Sequence, residues 1–443
     1  MTRSLSAARA WRVPVIEQAL LAPFVFALYL LPGRAPGLPL SWHGLLLVPL
    51  LLIAAALHKR RMVAPSTWPY WALIAIVLIS AAVAGRYGPD VYKPFLFGLM
   101  ASIAVMAVGR RRDLRTFFWL LLPILVIDAS LGMLVRLWPA VPPWLNDVYA
   151  GPFARPLHRG AFLMLGTLAA GAAFLHRGRS WLLLPFTILL MAMIMAGLRG
   201  LWIGAAVGIV ALMLFDRRPR SLVLPALAAL SFLAVQEGIR LRVEQTGDLA
   251  LAVGSAPAPQ TPLAQETAPP LSATVGATQA EVEAASFALD FFLKSGAAKF
   301  FEELTPAGRL GYWQAGARMT LAHPVLGVGP GNFPREFPKY YRGVRRDAER
   351  TSDPHSMYVG VLAELGLVGA IAFLVVLLAA ARSVWRHRRS VRARPDVVFA
   401  GAGVAALCAI GLTWDIHVQR VWWLALGLFG VAVSDTPVES HPA

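Results

Sequence analysis

The sharpest candidate for proton transfer in this chain is His355, which precedes a long apolar segment. Ser352 or Asp353 can cap a helix that begins there, with Pro354 in its first turn. The positive end of that helix dipole disfavours an imidazolium, so the ring is expected to be neutral and able to accept a proton. The pattern predicts a general base; the alternative is an interfacial histidine that only anchors the helix.

Arginines with the chemistry to bind phosphate precede this histidine along the chain. Arg199 is the single charge in the apolar run from Trp181 to Phe215, which is too long for one membrane span and is therefore predicted to form a hairpin with Arg199 at its tip. A planar guanidinium suits two phosphate oxygens, although it can equally pair with ordinary phospholipid headgroups. Arg159 has a similar, weaker case at the start of an earlier apolar segment.

A helix predicted from Thr305 to Ala322 carries a second set of candidates. Arg309 and Trp313 are four residues apart and share a face that suits a sugar phosphate, whereas Arg318 points nearly opposite and is expected to be a solvated charge. The helix is expected to end at His323-Pro324. A structural role is the simpler alternative for each of these residues. The candidate substrate contacts of this region are Trp313, Tyr341, Arg342, Arg345 and Asp353.

Two carboxylates, Asp128 and Glu364, lie within apolar segments. Carboxylates inside membrane helices are candidates for function by default. Glu364 is nine residues past His355 and faces the other way, so the two are not expected to share a proton. A structural hydrogen bond is favoured for Glu364, with a role in transport as the alternative.

Other chemistries find no support in the sequence motifs. Gly327-x-Gly-x-Gly331 follows a predicted helix rather than a strand and lacks the GK[ST] ending of a nucleotide loop, so we interpret it as a turn. The single cysteine, Cys408, allows no intrachain disulfide and no zinc-ligand spacing. The sequence predicts no metal, no cofactor and no nucleic-acid partner.

The elements that must position these residues are membrane-spanning helices. Of the 443 residues, 57% are hydrophobic and only 15% are charged, against about 25% in soluble domains, which argues against a soluble enzyme. A bilayer core of about 30 Å needs roughly 20 apolar helical residues. The predicted fold class is an all-α polytopic membrane protein of about twelve transmembrane helices. The predicted spans are 14–32, 40–58, 69–85, 94–109, 116–138, 160–176, 181–198, 200–215, 221–235, 357–380, 397–414 and 420–434.

The net charge of +17 is explained by the loops between these spans. Alternate short loops, counted from the N-terminus, hold 21 lysines and arginines, and the opposite short loops hold 8. The positive-inside rule therefore predicts that both termini are cytoplasmic. The domains are then spans 1–9 in residues 1–235, a large external loop at 236–356, and spans 10–12 with the C-terminus at 357–443. Within the loop, the Ala- and Pro-rich stretch 246–286 is expected to be a flexible insertion.

Three blocks of this chain resemble the bacterial O-antigen ligase family, which is related to O-antigen polymerases and protein O-oligosaccharyltransferases. The first block is Leu198-Arg199-Gly200-Leu-Trp202. The second is Arg309-Leu-Gly-Tyr-Trp313 followed by His323-Pro-Val-Leu-Gly-Val-Gly-Pro-Gly-Asn-Phe333. The third is Pro354-His355-Ser356 followed by Leu362-Ala-Glu-Leu-Gly-Leu-Val-Gly369. The order of the blocks, with a large loop before the last, is typical of the superfamily.

The resemblance implies a metal-independent, inverting glycosyltransferase of the GT-C-like type in the bacterial inner membrane, with its active site facing the periplasm. The donor would be an undecaprenyl-diphosphate-linked O-antigen and the acceptor lipid A-core, with membrane lipids as further partners. Arg199 and Arg309 match the family's essential arginines, and His355 matches its essential histidine. The 246–286 insertion departs from a compact family loop and leaves Arg240 and Arg242 unassigned.

Two kinds of alternative stay open. Within the superfamily, the chain can be an O-antigen polymerase or a protein-glycosylating ligase, because the acceptor is not written in the sequence. From another class, twelve spans with Asp128 and Glu364 fit a secondary transporter. Against transport, the ionisable residues concentrate on one external face and few lie at mid-membrane.

Overall fold

The computed structural model of the protein describes ten ranges of the chain, and within them it is helical and contains no strand. These ranges are 42–85, 89–109, 111–137, 156–195, 199–216, 219–237, 310–342, 354–386, 394–414 and 420–432. The all-α class predicted from the sequence is confirmed for this part of the chain. The helices are α1 Trp42–Leu57, α2 Lys59–Met62, α3 Trp68–Ala84, α4 Pro89–Val108, α5 Arg111–Leu137, α6 Pro156–Arg177, α7 Leu183–Met195, α8 Arg199–Asp216, α9 223–237, α10 Leu310–Ala322, α11 Phe333–Tyr340, α12 Met357–Arg386, α13 Pro395–Gly411 and α14 Arg420–Ala432.

The chain divides into two compact units, residues 1–228 with 309–443, and residues 229–308. The second unit lies outside the described ranges except for the end of α9. The first unit holds every candidate site residue that the structure describes.

Within the described ranges, three segments are long and apolar enough to cross a membrane: Arg159–Arg177, Pro219–Glu237 and Met357–Ser383. Eight further apolar helices of 10–17 residues accompany them in the described ranges. Each predicted span from the second to the twelfth overlaps one of these helices, and the first, 14–32, lies outside the described residues. In the long apolar run around Arg199, the structure describes α7 up to Met195 and α8 from Arg199. Residues 196–198 lie outside the described ranges, and the hairpin stays a prediction.

Helix α12 has one apolar face turned away from the protein. Its side chains Leu367, Ile371, Leu374 and Leu378 are 51–61% exposed and recur at helical spacing, while Phe373 and Val376 on the other face are buried. An exposed apolar stripe of this kind is typical of a lipid-facing surface. Its buried face packs on α3.

Helix α13 is surrounded by its neighbours and packs most closely on α8. The contact depends on two glycines of α8, because a Cβ atom at Gly204 would collide with Ile410 and one at Gly208 would lie 2.7 Å from the Leu168 side chain of α6 and 3.2 Å from Ala406. Small residues at such positions let helix backbones approach closely in membrane proteins. The N-terminus of α8 is thereby held beside the C-terminal end of α13.

Helix α12 is broken at Gly366, whose φ is 64° and ψ is −166°. A break inside a helix leaves backbone groups without their usual partners, and at membrane depth each must be satisfied. The turn-rich segment 324–329 satisfies them. Val328 N–H donates to Ala363 O and Gly329 N–H to Glu364 O, both at 3.0 Å, and Leu367 N–H donates to Pro324 O at 2.8 Å.

Candidate functional site

His355 lies two residues before α12 in a conformation that side chains rarely adopt. Its φ is 51°, the only positive φ of a non-glycine residue within the described ranges. The half-buried imidazole lies between two rings, with its centroid 5.7 Å from that of Tyr312 and 6.5 Å from that of Trp414. The rings of His355 and Trp414 are nearly perpendicular, at 88°. A non-glycine residue persists in such a conformation only where its surroundings determine it.

The predicted cap and first turn of this helix were wrong, although the predicted span 357–380 begins where α12 begins. The sequence pattern favours a cap at Ser352 or Asp353 with Pro354 in the first turn, but α12 begins at Met357. The left-handed conformation of His355 is not helical, so the helix cannot include Pro354. The first amide of α12 is instead satisfied by a residue far away along the chain, since Met357 N–H donates to the carbonyl oxygen of Trp414 at 3.1 Å. His355 remains close to the helix N-terminus, as expected.

The second motif block meets His355 through Tyr312 on α10. Tyr312 also stacks on Tyr341, with ring centroids 6.1 Å apart and planes at 27°. Gly311 makes room for this stack, because a Cβ atom there would lie 2.7 Å from the Tyr341 ring. Both tyrosines cover the core that Phe333 and Phe337 of α11 form with α10 and α12. Tyr341, a predicted substrate contact, is therefore one ring away from the candidate base.

The other predicted contacts of this region are less closely tied to His355. Trp313 is half-buried, and its Nε1 is enclosed without a hydrogen-bond partner in the described part of the chain. Arg342 is exposed just past the end of α11. Helix α10, which carries Trp313, ends at Ala322, as predicted from His323-Pro324.

The first motif block meets His355 through Trp414. Gly200, in the first turn of α8, lies against the indole, and a Cβ atom at Gly200 would be 2.5 Å from Cδ1 and 2.6 Å from Nε1 of Trp414. Trp414 in turn contacts the imidazole. Arg199 is therefore the chain neighbour of Gly200, which contacts Trp414, and Trp414 contacts His355. The Arg199 side chain lies outside the described residues.

Arg159 is paired with a carboxylate. Its Nε lies 2.7 Å from Oδ2 of Asp128, its Nη2 donates to the Asp128 carbonyl oxygen at 2.8 Å, and both side chains are 20% exposed. Gly132, one helical turn after Asp128, leaves the space that the guanidinium occupies. The Asp128 carboxylate therefore has a structural partner. The diphosphate-binding role of Arg159 stays a prediction.

Two other charged residues also have structural partners. Oε1 of the buried Glu364 accepts a hydrogen bond from Phe333 N–H at 3.1 Å, at the start of α11, where the Asn332 side chain makes no cap. This is the structural hydrogen bond favoured for Glu364.

Arg318 was expected to be a solvated charge, but its Nη1 donates to Tyr340 O at 2.8 Å. The end of α11 packs beside α10, and its last carbonyls lack partners within the helix, so the guanidinium can bond to one of them.

Several predicted positions lie outside the described residues. These are Arg309, Arg345, Asp353, Arg240, Arg242 and the insertion 246–286. In the described ranges, no three His, Cys, Asp or Glu side chains form a group that could hold a metal ion.

Sequence reasoning missed two residues of the site, Tyr312 and Trp414. Tyr312 stands inside the second motif block, and the predicted helix face of Arg309 and Trp313 does not include it. Trp414 ends the predicted eleventh span, where a tryptophan is an ordinary interfacial residue. A signal for Trp414 is weak, because its partners are 59 and 214 residues away along the chain.

The described helices and this site define a helical membrane protein in which a histidine, an aromatic cluster and the arginine-bearing start of α8 converge. Residues 184–374 match the family model described as O-antigen ligase. This match, over somewhat less than half of the chain, confirms the family resemblance drawn from the three motif blocks. No curated protein matches the chain significantly. The family is one of bacterial membrane glycosyltransferase-like enzymes with an activity of the O-antigen ligase or polymerase type.

Proposed function

We propose that this protein transfers O-antigen polysaccharide from undecaprenyl diphosphate to a sugar hydroxyl of lipid A-core on the periplasmic side of the inner membrane, completing lipopolysaccharide. One observation carries the proposal. The three family motif blocks, far apart in the chain, converge on His355, through Tyr312 on one side and through Trp414 and Gly200 on the other.

In the proposed reaction, His355 accepts the proton of the acceptor hydroxyl as its oxygen attacks the anomeric carbon of the donor. The new glycosidic bond forms on the face opposite the diphosphate. The bond from the anomeric carbon to the diphosphate oxygen breaks, and its electron pair leaves with that oxygen, so the anomeric centre inverts. Arg199 and Arg309 stabilise the charge that grows on the leaving diphosphate. Because the guanidinium charge is permanent, the leaving group requires neither a metal ion nor a proton donor.

We assign Arg159 a weaker part in donor binding, because its Nε and one Nη already bond to Asp128. Tyr341 is a substrate contact in this proposal, together with Trp313, Arg342, Arg345 and Asp353. The partly exposed rings beside His355 suit the apolar face of a pyranose.

The proposed topology has twelve spans in a GT-C-like arrangement, with both termini cytoplasmic and the domain boundaries at 235/236 and 356/357. The lipid-facing stripe of α12 supports its placement as a span, and His355 precedes that helix at its predicted periplasmic end. A diphosphate headgroup would reach the same depth as His355 while its isoprenoid tail stays in the bilayer.

Transport is disfavoured by the partners of the two intramembrane carboxylates. Asp128 is paired with Arg159, and Glu364 caps α11. A proton-coupled carboxylate has to change its protonation during transport, whereas these two hold structure together.

The test is transfer by the purified protein. Wild-type protein, with chelator present, is mixed with an undecaprenyl-diphosphate glycan and lipid A-core, and glycan attached to the core is measured. His355→Ala is expected to abolish turnover, and Arg199→Lys to lower it, because lysine lacks the bidentate fork. Matched controls are His176→Ala, an exposed histidine at the end of α6, and Arg179→Lys, an exposed arginine before α7. Both controls should retain turnover.

Each other outcome corrects the proposal in a defined way. Full turnover by His355→Ala removes the general base. Loss of all turnover with chelator, restored by a divalent metal, removes the metal-independent mechanism. Growth of the lipid-linked glycan without transfer to the core makes the protein a polymerase. Transfer to neither, but to a protein acceptor, makes it a protein-glycosylating ligase.

A further inference from the structure

His355 is held in its left-handed conformation by contacts rather than by its own sequence. The helix that follows does not hold it, because α12 begins only at Met357. The Tyr312 ring and the Trp414 ring both pack against the imidazole. Of these two, only Trp414 also bonds to the start of α12, through its carbonyl oxygen.

Trp414 joins three separate elements. Its segment follows the C-terminus of α13, where Ser356 Oγ lies 3.5 Å from Gly411 O and Met357 N–H donates to Trp414 O. Its indole edge lies against Gly200 at the start of α8. Its ring meets the imidazole of His355 edge-on. A displacement of this indole would therefore change the position of the histidine relative to the helix that begins with Arg199.

We infer that Trp414 is a positioning residue for His355, and that it sets the distance between the proton acceptor and the diphosphate-binding end of α8. The expected effect of Trp414 on turnover rests on the proposed function. The geometric argument holds for any hydroxyl acceptor. A general base must lie within hydrogen-bond reach of the hydroxyl it deprotonates, and a misplacement of about 1 Å can cost about 100-fold in rate.

The first test measures the histidine directly. Diethyl pyrocarbonate carbethoxylates accessible imidazoles, and peptide mass spectrometry isolates the modification of His355 from that of the other eight histidines. Trp414→Ala is expected to raise the modification rate of His355 several-fold, because loss of the neighbouring indole makes the imidazole more accessible. Trp414→Phe, which keeps an aromatic ring, is expected to restore most of the protection. An unchanged rate in Trp414→Ala overturns the inference.

The second test measures turnover. Trp414→Ala is expected to lower kcat about 10- to 100-fold, while KM for the undecaprenyl-diphosphate glycan changes less than threefold, with partial rescue by Trp414→Phe. A structural control is Trp423→Phe, a fully buried ring packed on Phe95 and Tyr70, which should lower Tm without altering His355 reactivity. Trp385→Ala, an exposed ring at the other end of α12, should alter neither.

The outcomes separate the two proposals. If the wild type transfers glycan to no acceptor but Trp414→Ala still exposes His355, the positioning role stands and the proposed function fails. If the wild type is active and Trp414→Ala keeps its kcat, the proposed function stands and the positioning role fails. A change in His355 reactivity that is equal in Trp423→Phe reduces Trp414 to a general packing residue and overturns the inference.

Discussion

Gly327 and Gly366 meet so closely that a Cβ atom added to Gly366 would lie 2.6 Å from the amide nitrogen of Gly327. Both residues have positive φ, 68° and 64°. One forms the turn after α10, and the other breaks α12 nine residues after its first residue. This contact joins the segment that carries Tyr312 to the helix that follows His355, so the geometry of the site depends on it.

Substituting either glycine by alanine is expected to lower Tm and reduce turnover. The positive φ alone costs about 1 kcal/mol for alanine, and the collision with backbone atoms adds about 1–3 kcal/mol. The control is Gly85→Ala, because Gly85 has φ 62° but nothing within 4 Å of its added Cβ atom. Unfolding in detergent, followed by tryptophan fluorescence, compares the three variants. Equal Tm values for all three would contradict the close contact.

Removing the Glu364 carboxylate is expected to loosen the start of α11. Glu364→Ala leaves the buried Phe333 amide without its acceptor, at a cost of about 1–3 kcal/mol, whereas Glu364→Gln keeps a side-chain oxygen that can accept the bond. Hydrogen exchange at Phe333 should accelerate in the alanine variant and much less in the glutamine variant. If both variants exchange like wild type, the cap is not formed.

Asp128 and Arg159 are expected to be energetically coupled. A double-mutant cycle with Asp128→Ala and Arg159→Ala should give a coupling of about 0.5–3 kcal/mol in unfolding free energy, as residues in direct contact do. Gly132→Ala should weaken the same pair by crowding the guanidinium. Additive effects of the two single changes, together with a raised donor KM in Arg159→Ala alone, would instead favour direct phosphate binding.

Replacing His355 by glycine and by alanine separates the cost of its backbone conformation from the contribution of its imidazole to turnover. Both variants lack the imidazole and are expected to lose turnover. The glycine variant should be more stable than the alanine variant by about 1–2 kcal/mol, because only glycine adopts φ 51° without a steric cost. Tm measurements decide the point. An alanine variant that is as stable as the glycine variant would mean that the backbone relaxes at this residue.

Crowding the contact between α8 and Trp414 is expected to lower kcat substantially and to lower Tm only slightly. Gly200→Ala places a methyl group 2.5 Å from the indole and should displace it from His355. Gly208 lies on the same helix as Gly200, about two turns further from the site, and its replacement by alanine crowds Leu168 of α6, so Gly208→Ala is the matched control. Turnover and Tm are measured for both. A Gly208 variant that loses as much kcat at equal Tm would show that helix packing in general, and not the indole, controls the rate.

The interactions of neighbouring residues were readable from the sequence. Apolar runs predicted most of the helices, because hydropathy and helix length depend on adjacent residues. The pair His323-Pro324 predicted the end of α10. The three motif blocks by themselves indicated the family, and the match over residues 184–374 confirmed it.

The tertiary structure decided what joins these pieces. The cap of α12, the partner of Asp128 and the role of Trp414 each pair residues between 31 and 214 positions apart. Such pairs depend on which helices pack together, and local propensity carries no information about that choice. His355 illustrates the difference. Its sequence neighbours indicated a helix start, while only the tertiary structure shows its left-handed conformation and its contacts with the rings of Tyr312 and Trp414.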